Sequence, residues 1–345
     1  MKQVLILFSL ATFLRAQPEE HSFVHGGLTR AYFLYIPNSL EIGAPLLFVL
    51  HGYSGSASGI MDYTNLNQVA EESGFAVCYP QGVSDDWNYN FWNVGYDFHS
   101  NETVDDVSFI KALAEHLQTE YKLSRHNTFS TGMSNGGDMS YLLACQASDV
   151  FRAIAPVAGC MMSWIYSSCD PLVPVPVFEI HGTDDDVTWW SGADENNNGG
   201  WGPWESVDTT FNFWTQVNSC TVFNSDTLPN LNPSDGSIVI AHKRSDGFIG
   251  NEVWLYEIVN GGHDWPGAWG NMDINASSDI WAFFEKFLVQ TGDTNIDQVL
   301  NIFDVLLLSD TVAAGGEYNS LYDYNLDGEI NINDTHALVL FILGY

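Results

Sequence analysis

The stretch FSTGMSNGGDMSYLLAC (residues 129–145) places a serine among glycines, between two apolar segments. The pattern predicts a short strand, a sharp turn at Ser134 and a helix from Asn135. Gly132, Ser134 and Gly136 match G-x-S-x-G, in which the glycines let strand and helix approach closely while the serine takes a strained conformation. Glycine and serine are common, so the motif alone also fits a flexible corner. Its position at a predicted strand-to-helix turn favours a nucleophile.

Four other apolar runs are typical of strands buried on both faces. They alternate with helical patterns such as VDDVSFIKALAEHLQTEY (104–121), in which apolar residues recur three and four positions apart. This alternation predicts an α/β domain with a mostly parallel sheet, whose chemistry collects at the carboxyl edge of the strands. The runs are PLLFVLHG (45–52), FAVCYPQG (75–82), FRAIAPVAG (151–159) and VPVFEIHG (175–182).

A serine hydroxyl needs a base to take its proton and a carboxylate to orient that base. Downstream of Ser134, the run VPVFEI ends in HGTDDDV, which offers three aspartates. A later run, NEVWLYEIV, ends in NGGHDWPG, which offers His263. Serine, acid, histidine is the chain order of α/β-hydrolase triads. The residues alone leave open which aspartate serves: Asp184, Asp185 or Asp186.

Two other histidines lie downstream of the serine. His242 stands beside Lys243 and Arg244 in a polar turn, and His336 lies in the C-terminal part of the chain. His263, at the end of an apolar run, is therefore the favoured base, with a structural loop histidine as the alternative.

Acyl transfer also needs two N–H groups directed at the developing oxyanion. One is predicted from Asn135, the residue after the serine. The other is predicted from the loop LHGYSGSASG (50–59), where Gly52 permits close approach and Tyr53 is the expected donor. An ordinary glycine–serine turn is the alternative for this loop.

Taken together, these motifs resemble those of the secreted polyhydroxybutyrate depolymerase-like esterases, which include feruloyl esterases. The resemblance covers about residues 22–289, through FVLHGYSGSA, VDDVSFI, STGMSNGGDMS, APVAG, PVPVFEIHGTDDDV and NGGHDWPG. It implies an α/β-hydrolase fold and a Ser134–His263–Asp185 triad, because the family acid is the fifth residue of HGT-x-D. It also implies that Tyr53 and Asn135 form the oxyanion hole.

The chain departs from this family after the presumed acid. VTWW (187–190) stands where the family usually has VPY, and WWSGADENNNGGWGPW (189–204) then predicts a long surface loop. Aromatic side chains near the cleft are candidate platforms for a planar acyl group or a sugar, with packing as the alternative. These candidates are Trp189, Trp190 and Trp265.

The function expected from these features is a secreted serine carboxylic-ester hydrolase, acting on feruloyl or acetyl esters of plant or algal polysaccharide through an acyl-enzyme. Depolymerisation of poly(3-hydroxybutyrate) or its oligomers is the alternative substrate assignment. A serine peptidase on the same fold has the same triad order. A non-catalytic surface or carbohydrate-binding protein on a hydrolase scaffold is the alternative of another class.

The N-terminal segment MKQVLILFSLATFLRA (1–16) has an early lysine, an apolar run and a small residue, as secretory signal peptides do. The run is too short to span a bilayer, and a buried first strand is the alternative. The segment predicts an extracellular protein without a membrane span. The formal charge of −33 argues against nucleic acid and anionic membranes as partners.

An exported chain with five cysteines can form up to two disulfides. Cys78 and Cys145 lie in apolar runs. We therefore expect one bridge between two of the cysteines near loops, which are Cys160, Cys169 and Cys220.

After Thr291 the composition changes, and two twelve-residue segments share one template: DTNIDQVLNIFD (293–304) and DYNLDGEININD (323–334). Oxygen-bearing residues stand at positions 1, 3, 5, 9 and 12 of each, which suits the six to eight oxygen ligands of Ca²⁺. Gly328 holds the sharp-turn position of the second loop, and Gln298 replaces it in the first. The predicted ligands are Asp293, Asn295, Asp297, Asn301, Asp304, Asp323, Asn325, Asp327, Asn331 and Asp334.

Each loop precedes an apolar helical segment, VLLLSDTVAA or THALVLFILG. The duplicated pattern resembles dockerin modules, small paired-loop calcium domains that bind cohesins. It implies an all-α, dockerin-like domain over 292–345, with a cohesin or a cell-surface scaffold as partner. Solvated acidic loops are the alternative. A domain this small has little core, so calcium is expected to supply much of its folding free energy.

Overall fold

The computed structural model describes residues 16–196, 199–297, 299–316, 319, 321–325 and 328–344. The predicted signal peptide, apart from Ala16, lies outside these residues. The strands are β1 (Glu19–His25), β2 (Leu28–Tyr35), β3 (Leu46–Leu50), β4 (Ala76–Pro80), β5 (Val83–Ser84), β6 (Asn90–Phe91), β7 (Thr128–Met133), β8 (Ala153–Val157), β9 (Val177–Gly182), β10 (Val222–Thr227), β11 (Ile238–Ser245) and β12 (Val253–Val259).

Helices surround these strands in the described part of the chain. They are α1 (Ala57–Thr64), α2 (Leu66–Ser73), α3 (Asp106–Glu120), α4 (Asn135–Gln146), α5 (Ser163–Ser168), α6 (Val207–Val217), α7 (Ala276–Glu285), α8 (Ile302–Ala314) and α9 (Ile332–Ile342). The four strands and the helix expected from the apolar patterns are confirmed as β3, β4, β8, β9 and α3.

A ten-stranded sheet forms the centre of the described residues, in the order β1-β2-β4-β3-β7-β8-β9-β12-β11-β10. The strands β4, β3, β7, β8, β9 and β12 run parallel. The strands outside them pair antiparallel at both edges. The fold is α/β-hydrolase-like, with a mostly parallel sheet. Since parallel strands end at the same edge, the loops after β3, β7, β9 and β12 lie on one side of the sheet.

Both faces of the sheet are covered. Alternate residues of β3 belong to different hydrophobic clusters: Phe48 packs in the cluster that contains α3, α4 and α6, and Val49 in the cluster that contains α1, α2 and α7. All five β3 residues are buried. Full burial of such a side chain contributes about 1.5–3 kcal/mol. This double coverage explains why the strand sequences lack polar alternation.

One disulfide joins Cys145 to Cys169, with their Cα atoms 5.0 Å apart. The expectation of a bridge between two loop cysteines was therefore wrong for one partner. The apolar run that holds Cys145 is the last turn of α4, and Cys169 follows α5 directly. A cysteine at a helix end is as accessible to a loop partner as one in a loop. Cys78, Cys160 and Cys220 are buried free thiols.

The C-terminal helices α8 and α9 pack on each other through a small core of Val305, Leu308 and Leu338. The segment that leads to them is fixed to the hydrolase part by Asn127, whose side chain donates to the Val289 carbonyl (2.9 Å) and accepts the Val289 N–H (2.7 Å). No helix among the described residues has the length and hydrophobicity needed to cross a membrane.

Candidate active site

Ser134 stands where β7 ends and α4 begins, with φ 55° and ψ −124°. A residue with a side chain rarely adopts positive φ, so this conformation is strained. The turn around it is held by the backbone: the Ser134 N–H donates to the Val157 carbonyl (2.9 Å), and its carbonyl accepts the N–H groups of Gly137 (2.7 Å) and Asp138 (2.9 Å). The helix therefore starts at the serine, and its free N–H groups favour negative charge there.

The crowded glycines are explained by close backbone approach. A Cβ on Gly136 would lie 2.1 Å from the carbonyl oxygen of Leu50. A Cβ on Gly132 would lie 2.6 Å from the carbonyl carbon of Gly136. Only glycine fits at either position, because these contacts are with backbone that cannot move aside.

Asp185 lies in the loop after β9 and is buried, while Asp184 and Asp186 are exposed. Its Oδ1 accepts the N–H groups of Val187 and Thr188, both at 2.8 Å. Burial opposes the charged form, but the hydrogen bond and charge of His263 lower the pKa of Asp185 below its ordinary value.

His263 follows β12 and directs Nδ1 at Asp185 Oδ2, at 2.7 Å. Because the carboxylate accepts, Nδ1 carries the proton and Nε2 is left as the basic nitrogen of the neutral ring. The Thr188 hydroxyl supports this pair: its Oγ1 lies 2.9 Å from Asp185 Oδ2 and 3.3 Å from His263 Nδ1. The structure thus brings the predicted acid and base together.

Ser134 and Thr188 line the same narrow cavity, which brings the serine to the neighbourhood of the acid–base pair. Within the described residues, no hydrogen bond joins Ser134 Oγ to His263; the ring's hydrogen-bonding contacts are at Nδ1. Catalytic serine–histidine contacts are often long without substrate and tighten in the complex.

The loop after β3 passes directly beside the serine. A Cβ on Gly52 would lie 3.4 Å from Ser134 Cβ. The Asn135 side chain is held by Trp92, accepting its N–H at 2.7 Å and donating to its carbonyl at 3.0 Å. In the described part of the chain, the backbone N–H groups of Tyr53 and Asn135 have no carbonyl partner. The oxyanion role of these two N–H groups stays a prediction.

The three aromatic residues expected to contact the substrate do not line the cavity at Ser134. Trp265 is 1% exposed and donates to Ser277 Oγ (3.0 Å), so it is a core residue and not a substrate contact. Trp189 and Trp190 are half-buried against the α4 side of the core, outside the walls of the cavity at Ser134.

Several residues in the walls of that cavity were not predicted from the sequence. The loop predicted to lie on the surface folds back, placing Trp201 and Trp204 beside Ser134, together with Tyr96 and Met162. Backbone contacts hold it there, since the Asp97 N–H donates to the Trp201 carbonyl (3.1 Å). Four tryptophans in one loop were the available signal, but the pattern did not say which rings turn inward.

Asp138, also in the cavity wall, is a buried acid that the sequence did not single out. Its Oδ2 accepts the Tyr96 hydroxyl (2.6 Å) and its Oδ1 the Cys160 N–H (2.6 Å). Burial raises the pKa of Asp138 to about 6, against the opposing effect of these hydrogen bonds.

Both predicted calcium loops lead directly into helices α8 and α9. Asn301 and Asn331 cap these helices, and the aspartate three residues later completes a capping box in each. Carboxylate and amide oxygens are ligands that Ca²⁺ accepts, so the donor chemistry fits this ion. The carboxylates at the first and last positions of the loops are all buried: Asp293, Asp304, Asp323 and Asp334.

A calcium site also requires the predicted ligands to lie close together. In the described part of the chain, no three carboxylate, histidine or cysteine side chains are gathered as a metal site. Asp327, a predicted ligand, and Gln298 lie outside that part. Calcium binding by these loops stays a prediction.

In comparisons with known proteins, the chain is similar to esterases. Residues 30–174 match the family model described as Esterase PHB depolymerase. The chain is 30% identical over 180 residues to the probable feruloyl esterase C of Aspergillus niger, covering 50% of this chain and 61% of that protein. It is 32% identical over 172 residues to the putative esterase NocK of Nocardia uniformis subsp. tsuyamanensis, covering 49% of each.

A bifunctional acetylxylan esterase/xylanase, XynS20E of Neocallimastix patriciarum, is 27% identical over 161 residues, covering 47% of this chain and 22% of that protein. The alignments thus span from about a fifth to three fifths of these relatives. The solved acetyl xylan esterase from Aspergillus awamori shares the fold, with a TM-score of 0.50 and 15% identity over 74% of this chain and 94% of that chain. These matches support a carboxylesterase.

Proposed function

We propose that this protein is a serine carboxylic-ester hydrolase. The observation that carries the proposal is the pair of buried Asp185 and half-buried His263, 2.7 Å apart, at the same sheet edge as the strained Ser134. Asp185 fixes the imidazole so that Nε2 takes the serine proton as Oγ attacks an ester carbonyl. The Tyr53 and Asn135 N–H groups stabilise the oxyanion, and water then releases the acid from the acyl-enzyme.

The proposed substrates are feruloyl or acetyl esters of plant or algal polysaccharide. Two observations support them: relatives named as feruloyl and acetylxylan esterases, and a cavity at Ser134 walled by the aromatic side chains of Tyr96, Trp201 and Trp204. Flat rings favour a planar acyl group. The matching family model, described as Esterase PHB depolymerase, supports poly(3-hydroxybutyrate) as the second candidate substrate.

A purely binding role is less well supported. Such a protein has no use for a strained serine and an acid–histidine pair at one edge, since strain persists only where the surroundings impose it. We further propose that the enzyme is secreted, and that its C-terminal part is a calcium-dependent, dockerin-like module that attaches it to a cohesin or a cell-surface scaffold.

The deciding experiment compares wild type with Ser134→Ala on a p-nitrophenyl ester, on feruloylated arabinoxylan and on a polyhydroxybutyrate emulsion. Loss of the hydroxyl should lower kcat/KM by about 10⁵-fold or more, because the covalent route disappears. Ser130→Ala is the matched control, since Ser130 is buried in β7 and hydrogen bonds to Ser140. Hydrolysis retained by Ser134→Ala contradicts the proposal, and ferulate release or emulsion clearing by wild type assigns the substrate.

A further inference from the structure

A second histidine–carboxylate pair lies behind Asp185, and the proposed mechanism does not use it. His181 and Glu179 point to the same face of β9, and their side chains are 0% and 3% exposed. His181 Nδ1 lies 3.1 Å from Glu179 Oε1, and Nε2 lies 2.7 Å from the carbonyl oxygen of Thr188. Thr188 is the residue whose hydroxyl and N–H both contact Asp185.

Both partners of the His181 ring are hydrogen-bond acceptors. A carbonyl oxygen has no proton, and a carboxylate has none when ionised. A neutral imidazole can donate from only one nitrogen, so its other lone pair would face an acceptor oxygen at 3.1 Å or less, too close for a water to lie between them. Two arrangements satisfy the site: an imidazolium with ionised Glu179, or a neutral ring with protonated Glu179.

The surrounding groups favour the imidazolium. Glu179 Oε2 accepts the Tyr141 hydroxyl at 2.7 Å, which stabilises the carboxylate. Asp185 Oδ2 lies 3.6 Å from His181 Nε2 and adds a second negative charge beside the ring. Burial opposes the charge, but Glu179 and Asp185 raise the pKa of His181 above its ordinary value. The other titratable groups nearby are His263, beyond Asp185, and the buried Cys160 thiol, which faces both carboxylates.

We propose that His181 is a buried imidazolium that positions the catalytic acid: it anchors the Thr188 carbonyl and places a positive charge beside Asp185. The anchor fixes the loop from which Asp185 reaches His263. The charge offsets part of the Asp185 charge that His263 faces. The effect on catalysis rests on the proposed esterase function, whereas the protonation state of His181 does not.

The first test is the protonation state itself, measured by ¹⁵N NMR on the full chain labelled at histidine, with the His181 signals assigned from a His181→Gln spectrum. We expect both ring nitrogens to be protonated at pH 7. In Glu179→Gln the ring should become neutral, because the new amide can donate to Nδ1 while its oxygen accepts the Tyr141 hydroxyl. In that network every donor faces an acceptor, so the variant should fold. Its thermal unfolding checks this.

The second test is the pH profile of kcat/KM on a p-nitrophenyl ester. Glu179→Gln should move the acid limb to higher pH by about half a unit, because His263 then faces an uncompensated Asp185. Glu257→Gln is the matched control: Glu257 pairs with the half-exposed His242 at 2.9 Å, on the surface between β11 and β12. It should leave the limb in place.

A singly protonated His181 ring at pH 7 in wild type overturns the proposal, whatever the activity data show. If the His181 ring is doubly protonated but the acid limb of the pH profile does not move in Glu179→Gln, His181 has no positioning role in catalysis. The NMR result is independent of the Ser134→Ala experiment, so failure of the esterase assignment and failure of this inference are distinguishable.

Discussion

His263 Nδ1 lies 2.7 Å from Asp185 Oδ2, while the two neighbouring aspartates of the same run are exposed to solvent. Replacing Asp185 by Asn should therefore lower kcat by about 10⁴-fold with little loss of fold, because the amide favours the wrong imidazole tautomer. Asp186→Asn is the matched control and should keep nearly full activity. Ester hydrolysis and thermal unfolding of both variants check this, and equal activity of the two would assign the acid elsewhere.

Gly136→Ala should destabilise the protein by about 3 kcal/mol, since the added Cβ would lie 2.1 Å from the Leu50 carbonyl oxygen and force β3 and α4 apart. Gly59→Ala is the control: it lies in α1, and the nearest atom to its Cβ would be the Ser56 hydroxyl, at 3.1 Å. The free energy of unfolding in urea measures both. A stable Gly136→Ala protein would show that the close approach is not required.

The Cys145–Cys169 bridge closes a loop over a sequence separation of 24 residues. Reducing it should lower stability by about 3 kcal/mol through the larger entropy of the unfolded chain. Thiol titration of the unreduced, denatured protein should find Cys78, Cys160 and Cys220 free. Five reactive thiols would contradict the bridge, and one would indicate a second.

The raised pKa of His181 makes stability depend on pH in a defined direction. The folded state binds this proton more tightly than the unfolded state, so the contribution is complete below the unfolded pKa of about 6.5 and is lost as pH rises through the folded value. In that window the unfolding free energy of wild type should fall by about 1.4 kcal/mol per pH unit more than that of Glu179→Gln. Parallel curves would contradict a charged ring.

Removing calcium should unfold the C-terminal helices and leave the hydrolase part intact. Without the ion, each loop keeps two buried carboxylates, whose burial opposes the charged form, and the small core of α8 and α9 cannot compensate. Limited proteolysis with and without chelator measures this, with ester hydrolysis as the internal control. An unchanged cleavage pattern after chelation contradicts the proposed calcium loops.

The central sheet and the strand ends that carry the acid and the base could be predicted from local signals, whereas the choice of Asp185 among three adjacent aspartates came only from the family resemblance. Uniform apolar runs mark buried parallel strands, and the strand ends that carry Asp185 and His263 must share one edge. The inward turn of Trp201 and Trp204 could not, because a loop path depends on long-range contacts that leave no periodicity. The expectation that Trp265 contacts the substrate was wrong for a related reason: closeness to His263 in the sequence does not determine which way the ring points.

The reciprocal hydrogen bonds between Asn127 and Val289 fix the segment that leads to the C-terminal helices beside the start of β7, the strand whose far end bears Ser134. If the proposed scaffold binds these helices, it would contact the enzyme near the edge of the sheet opposite Ser134 and leave the cleft accessible. Enzyme molecules attached in this way could reach an insoluble substrate without first detaching.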